Sequence, residues 1–507
     1  MIKMKNYSKS IIASVFILTL AATSCKKTFL DQTPEASLAG NNFYQTETDF
    51  KQAVNGAYAS IKDMANVNYW LFGEMRSDNT SNQYNPSDRG YEQREFIDQF
   101  LVGATAEPIE NFWQQNYTGI ARCNEIIARI GGITMAEQLK NQFTGEALFL
   151  RAFNYFNLLR QYGGVPLRLL PTDAPSDARS KGRATVEEVY TQVIADLKAA
   201  SEKLPASYAA AELGRATEGA ARALLAKVYL TRGNYSESLT ELRKVQGLGY
   251  SLLANYADVF SPANKNNKES VFEIQYMGSQ PSLASNFMYQ FAPWNSGSIV
   301  TGDAGSTLGG GNGWNIPTKN MINAYEVGDI RKDLSLATGF TDLTGKFQAI
   351  PYVKKYNHGF VERGRTDDNF PVIRYADVLL MIAECLNEQG FVANGEAFTL
   401  LNQIRFRAKL NPKTAGNSVP ALSVDNQQAF RQAILQERRV ELAFENQRWY
   451  DLLRSGKAVE VMIAQGKEEL AEKTTIPAGA YLVTANKLLL PIPQKEVNLD
   501  GLVQNPQ

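Results

Sequence analysis

Three carboxylates, Glu437, Glu441 and Glu445, recur every four residues, which on a helix lines them along one face with neighbouring side-chain roots about 5 to 6 Å apart. The spacing superficially suits the carboxyl pair of a retaining glycosidase, held about 5 to 5.5 Å apart across a sugar. Neighbours on one helix, however, leave no room for a sugar ring between them. Arg438, Arg439, Arg448 and Arg454 stand in the same segment, so the favoured reading is a structural ion-pair lattice along a helical face. The single histidine, His358, argues against Ser-His-Asp triads, Cys-His dyads and His-rich zinc sites, all of which need imidazole. The run Gly309, Gly310, Gly311 lacks the Lys-Ser/Thr ending and the strand-to-helix setting of a phosphate loop. No catalytic residue, metal ligand set or cofactor is expected, and the chain reads as a non-enzyme.

The elements that must position any site read mostly as amphipathic helices in pairs. Ala220, Ala223, Leu224, Ala226 and Tyr229 fall at helical spacing, Arg232 to Tyr235 breaks the run, and Leu239 and Leu242 open a second apolar face. As in a tetratricopeptide hairpin, small residues let two helices approach, and Gly233 supplies a turn conformation that other residues resist. Further pairs are predicted for 375–387 with 397–410, for 146–162 with 186–204, and for 47–64 with 110–130. Their spacing is too irregular for a simple tandem array, but stacked pairs of this kind make a rigid backboard. Residues 65–100 and 276–370 are rich in Asn, Gly, Asp and aromatics with little sustained period. They are expected as loops with short strands laid over the helical body, where binding residues usually reside. The predicted fold class is mainly α, a tetratricopeptide-like helical-repeat scaffold with irregular loop-rich insertions and short strands.

Lysine plus arginine and aspartate plus glutamate each number 52, so no long-range positive field draws nucleic acid, which is excluded as a partner. A chain of 507 residues that is 44% hydrophobic and 10% aromatic can bury a large core without staples. Cys123 and Cys385 sit within helical apolar patterns and are predicted to be free buried thiols, a disulfide being the alternative. At the start, Lys3, Lys5 and Lys9 precede an apolar run from Ile11 to Leu20 that is too short to span a membrane, then Ala21, Ala22, Thr23, Ser24 and Cys25. Small residues before a cysteine resemble a lipobox, here with Ala22 where leucine is usual, in which the Cys25 thiol is joined to diacylglycerol. An ordinary secretory leader is the alternative. The expected divisions are a leader over 1–24, a lipidated tether over 25–45, an N-terminal helical region over 46–235, and a C-terminal region over 236–507 that carries the loop-rich, ligand-facing stretch 276–370.

Thr28-Phe29-Leu30-Asp31 with Pro34 follows the cysteine, and Gly145 to Phe153 leads to Tyr162-Gly163-Gly164-Val165-Pro166-Leu167. Arg374-Tyr375-Ala376-Asp377 opens a helix, Glu437 to Glu445 runs on to Arg448-Trp449-Tyr450-Asp451-Leu452, and the chain closes through Leu490-Pro491-Ile492-Pro493 and Gln504-Asn505-Pro506. In this order the blocks resemble the SusD/RagB family of Bacteroidota outer-membrane lipoproteins from one end of the chain to the other. Departures are confined to the terminal loop, where Leu499 follows Asn498 and the chain ends on Gln507. The resemblance implies a tetratricopeptide-like fold, a lipid anchor at the outer-membrane surface, and a SusC-like TonB-dependent transporter as partner. It implies non-catalytic capture of oligosaccharides, with peptides as the alternative. It fixes no ligand contact.

For sugars the useful groups are flat aromatics that stack on a ring face, flanked by planar donors and acceptors. Trp113 and Trp449 fall in helical or scaffold blocks and read as core. Trp70, Trp294 and Trp314 lie in the irregular stretches beside Arg76, Asp78, Asn79, Tyr84, Tyr289, Asn295 and Asn312. These are the expected ligand-binding residues.

Overall fold

Thr46 starts the first helix: its hydroxyl accepts from the Asp49 amide at 3.2 Å, and the Asp49 carboxylate accepts from the Thr46 amide at 2.8 Å. The exchange satisfies donors that a helix start leaves open. The structure, a computed structural model, describes residues 43–172, 182–305 and 310–507. The leader, Cys25 and Gly309 lie outside the described residues. Helix α1 (Glu47–Met64) buries Phe50, Val54, Ala57, Ile61 and Met64, alternating steps of four and three that make one apolar stripe. That stripe meets α2 (Glu107–Arg129) and α3 (Glu137–Tyr162), and α3 packs in turn on α4 (Val186–Lys203). The succession continues through α5 (Glu218–Thr231), α6 (Tyr235–Gln246), α7 (Tyr375–Gln389), α8 (Glu396–Arg407) and α9 (Gln427–Glu441), each against its neighbour. The helical pairs predicted from periodicity are all present, and Gly233 turns between α5 and α6 with φ of 76°. A smaller core gathers α10 (Arg448–Arg454) and α11 (Ala458–Glu472) around Phe100, Trp449 and Tyr481. Cys123 and Cys385 are free and buried, and Trp113 and Trp449 are core. The architecture is mainly α and tetratricopeptide-like, as expected.

The stretch 65–100 corrects one expectation. α1 is carried on by two π-helical turns, Ala65–Tyr69 and Leu71–Met75, and a short helix, Glu92–Asp98, follows. Tyr69, Trp70, Leu71 and Phe72 are all buried. Consecutive apolar residues carry no helical period when protein surrounds the segment on every side, so the sequence looks loop-like where the backbone is helical.

Strands are short and antiparallel: β1 (Thr80–Ser81), β2 (Ser270–Ile274), β3 (Ile316–Pro317), β4 (Leu336–Ala337), β5 (Phe340–Thr341), β6 (Phe347–Gln348), β7 (Tyr352–Val353) and β8 (Phe370–Arg374). β2 pairs with β8, placing Ile274 opposite Phe370, so the stretch 276–370 leaves and rejoins the helical body at one place. β1 pairs with β3, tying that stretch to the chain just beyond the π-helical turns.

Buried ion pairs fasten these loops to α9. Arg331 reaches Glu437 at 2.7 Å and Glu441 at 3.0 Å. Arg374 reaches Glu445 at 2.7 Å and Glu441 at 3.1 Å, Arg405 reaches Glu437 at 3.0 Å, and Lys355 reaches Glu445 at 2.7 Å. The lattice is present, but its cations are not the ones the sequence suggested. Arg438 turns to Asp377 and Asp451, Arg439 and Arg448 to Asp78, and Arg454 to Glu384. Successive residues on a helix point about 100° apart, so Arg438 cannot share the face of Glu437. Glu445 lies beyond the helix end rather than on it. Burial alone pushes the Glu441 carboxyl up, yet Arg407, Arg374 and Arg331 overcome it and hold the group at about 2.

Candidate functional site

The β1–β3 ladder delivers two strands of irregular chain to one place. The Gln83 amide donates to the Gly313 carbonyl at 2.7 Å, and Asn312, Gly313 and Trp314 donate backbone amides to the carbonyls of Tyr289, Ala292 and Gln290. The Gln83 side chain then clips the next loop: its carbonyl accepts from the Trp294 amide, and its amide donates to Asn295, both at 2.9 Å. The Trp294 indole donates to the Tyr84 carbonyl at 3.1 Å, and the Asn312 amide reaches Gln290 at 3.1 Å. Gly313 makes the crossing feasible. Its φ is 70°, and a Cβ there would fall 3.0 Å from Gln83 and 3.4 Å from the Trp294 ring.

On this frame sits an aromatic platform. Tyr84 is 38% exposed and Tyr91 48%, Trp294 is partly exposed and Asn295 exposed, while Asn312 is half-buried and Trp314 buried. Arg89 lies 4.5 Å over the Tyr84 ring and forks to Glu95 at 2.7 and 3.1 Å. Arg94, on the helix Glu92–Asp98, stands 5.3 Å from the Tyr91 ring and 5.9 Å from that of Trp314. Desolvation by burial lowers the Arg94 guanidinium, against opposing fields from Glu107 and Tyr91. The arrangement presents flat apolar faces bordered by amide and guanidinium donors, chemistry suited to hydroxylated rings.

The structure divides the expected ligand residues. Tyr84, Trp294, Asn295, Asn312 and Trp314 come together as described. Trp70 does not: it is 0% exposed and packs edge-on to Phe291 at 5.2 Å. Arg76 is buried between Phe100 and Trp449, Asp78 is held by Arg448 and Arg439, and Asn79 bridges Glu74 and Arg439. Tyr289 is buried, its hydroxyl donating to Asp303 at 2.8 Å. These five are corrected to interior residues: the helical turns that precede β1, and the helix Phe287–Phe291, direct them inward. Tyr91, Arg89, Arg94 and Gln83 escaped the sequence reading. The signal available for them was Tyr91 and Arg94 at a separation of three, one face of a short helix.

Tyr84 and Tyr91 present exposed ring surface on the platform. A cleft of about 740 Å³ lies between α1, residues 211–215 and β2, lined by Tyr58, Arg215, Phe272 and Gln275 among others. It shares no lining residue with the platform. Two of its cations are already matched, Arg215 with Glu212 and Lys265 with Asp367, and Glu273 accepts from the amides of Asn266 and Asn369.

Residues 340–507 match a family model described as the SusD family, and residues 28–230 one described as starch-binding associating with outer membrane. The chain is 31% identical over 500 residues to SusD-like protein P2 of Formosa agariphila, an alignment covering 92% of this chain and 94% of that protein. It is 24% identical over 402 residues to the starch-binding protein SusD of Bacteroides thetaiotaomicron, covering 66% of this chain and 68% of that one. A solved structure described as a laminarin binding SusD-like protein superposes with a TM-score of 0.75 at 26% identity, covering 91% of this chain and all of the other. Likeness over nearly the full length, in sequence and in the course of the helices, makes this chain a member of the SusD/RagB family.

Proposed function

We propose that the protein captures oligosaccharides at the cell surface and passes them, unaltered, to a SusC-like TonB-dependent transporter in the outer membrane. The observation that carries this reading is the platform of Tyr84, Tyr91 and Trp294, rigidly laced by backbone hydrogen bonds and edged with Asn295 and Asn312. Partly exposed aromatic faces bordered by amide and guanidinium donors suit sugar rings, which offer an apolar face and a rim of hydroxyls. The descriptions of relatives as starch-binding and laminarin binding point the same way. Glu437, Glu441 and Glu445 are committed to arginine and lysine partners, which supports capture without cleavage. Acylation at Cys25 would hold the body at the membrane, each buried methylene contributing about 0.8 kcal/mol.

A soluble chain beginning after Cys25, applied to an oligosaccharide array and to a peptide digest, tests the reading. Oligosaccharides are expected to be retained and recovered intact. Trp294→Ala is expected to weaken retention by about tenfold, the scale of losing one central aromatic contact. Retention of peptides with a blank oligosaccharide array would transfer the claim to a peptide-uptake role, and cleaved sugars would contradict the non-catalytic part.

A further inference from the structure

The platform carries one cation that no acid answers. Arg89 is matched by Glu95 and, at 3.5 Å, by Glu92. Arg94 is half-buried against Tyr91 and Trp314, and among the described residues no carboxylate stands within ion-pair distance of it and no group accepts a hydrogen bond from its guanidinium. Elsewhere half-buried and buried arginines find acceptors: Arg151 forks to Asp196 and Arg405 to Glu326, while Arg160 and Arg183, which have no acid among the described residues, donate to Asn157 and to the carbonyls of Tyr162 and Gly164. Arg76 is also stacked without an acid, but it is sealed from solvent between Phe100 and Trp449 and no ligand can reach it.

Aromatic faces satisfy the flat side of a guanidinium and leave its in-plane N–H donors open. Those donors form a rigid fork that matches the geometry of a planar or tetrahedral oxyanion. Desolvation by burial lowers Arg94, and the fields of Glu107 and Tyr91 do not compensate. Glu107 is otherwise engaged, accepting from Asn111 at 2.8 Å. A second guanidinium without an ion pair among the described residues, Arg363, lies against Gly305. Gly364, the next residue, donates its amide to the Tyr289 hydroxyl at 3.1 Å, which keeps Arg363 on the same group of loops.

We propose that the oligosaccharide taken by this chain is anionic, and that Arg94 recognises a carboxylate or sulfate ester on a sugar seated beside Tyr91. The inference rests on the glycan-capture reading above and names the ligand class within it. Because Glu92 and Glu95 offset Arg89, the anion is read at contact rather than drawn from a distance.

Binding of the soluble chain to matched probes tests this: oligogalacturonates against their methyl-esterified forms for the carboxylate, carrageenan oligosaccharides against desulfated forms for the sulfate, and laminarin oligosaccharides as the neutral reference. One charged probe is expected to bind at least about tenfold more tightly than its neutralised form, the scale of a hydrogen-bonded charge contact. Which pair shows the difference identifies the anion. Arg94→Gln should remove that difference, with a circular dichroism spectrum and thermal unfolding that match the parent chain showing that the variant is folded, and Arg94→Lys should recover only part of it. Neutral probes binding as tightly as charged ones, or charged binding indifferent to Arg94→Gln while Trp294→Ala still weakens it, overturns the inference and leaves glycan capture standing. An array on which no glycan binds, charged or neutral, overturns both.

Discussion

Single carboxylates in this fold behave in opposite ways according to what surrounds them. Glu441 is held at about 2 by three arginines after burial has pushed it up. Asp98 has no arginine to hold it down, and the one cation that lowers it, Lys473, is paired with Glu469. Burial and the neighbouring Glu469 raise it to about 8, with only the Ser81 and Tyr481 hydroxyls donating to it. A carboxyl whose folded value is raised keeps its proton in the native state while the unfolded chain has lost it, so stability falls as pH climbs from about 4 to about 8. Asp98→Asn removes that ionisation and keeps an acceptor for both hydroxyls. It should match the parent chain in denaturant titrations at pH 5 and exceed it at pH 9; equal stability at both values would show that Asp98 does not titrate in this window. Such environments are unreadable from sequence. Trp70 and Trp294 sit in equally irregular stretches, yet one ends in the core and the other on the platform.

At the scale of elements, apolar periodicity located the paired helices, because a helix with one wet face advertises its period. It failed at 65–75, where the π-helical turns are buried all round, and it passed over Glu92–Asp98, whose two turns are too short to establish a stripe. The glutamates around α9 were legible as an ion-pair lattice, but not their partners, which arrive from β8, α8 and the short helix Arg331–Ser335 before β4. Arg374 is the hub of that lattice. Replacing it with methionine leaves Glu269, Glu441 and Glu445 facing one another with a cation missing, a loss of about 3 to 5 kcal/mol. Chemical denaturation of Arg374→Met measures it. A change below about 1 kcal/mol, the range of exposed pairs, would mean that β8 is held to α9 by packing alone.

For the whole molecule, helix pairs stacked from α1 to α9 form a stiff support, and the stretch between β2 and β8 projects from it to meet residues 83–94. The family blocks in the sequence carry this support, since they consist of buried residues such as those of 145–153. The proposed ligand contacts lie outside them, which is why membership was legible and the platform only partly so. Soaking crystals of the soluble chain with a bound oligosaccharide is the most direct test of the central claim. Sugar density is expected across Tyr84, Tyr91 and Trp294, with an acidic substituent at Arg94; sugar seated instead in the cleft beside Tyr58 and Gln275, with the platform bare, would contradict it.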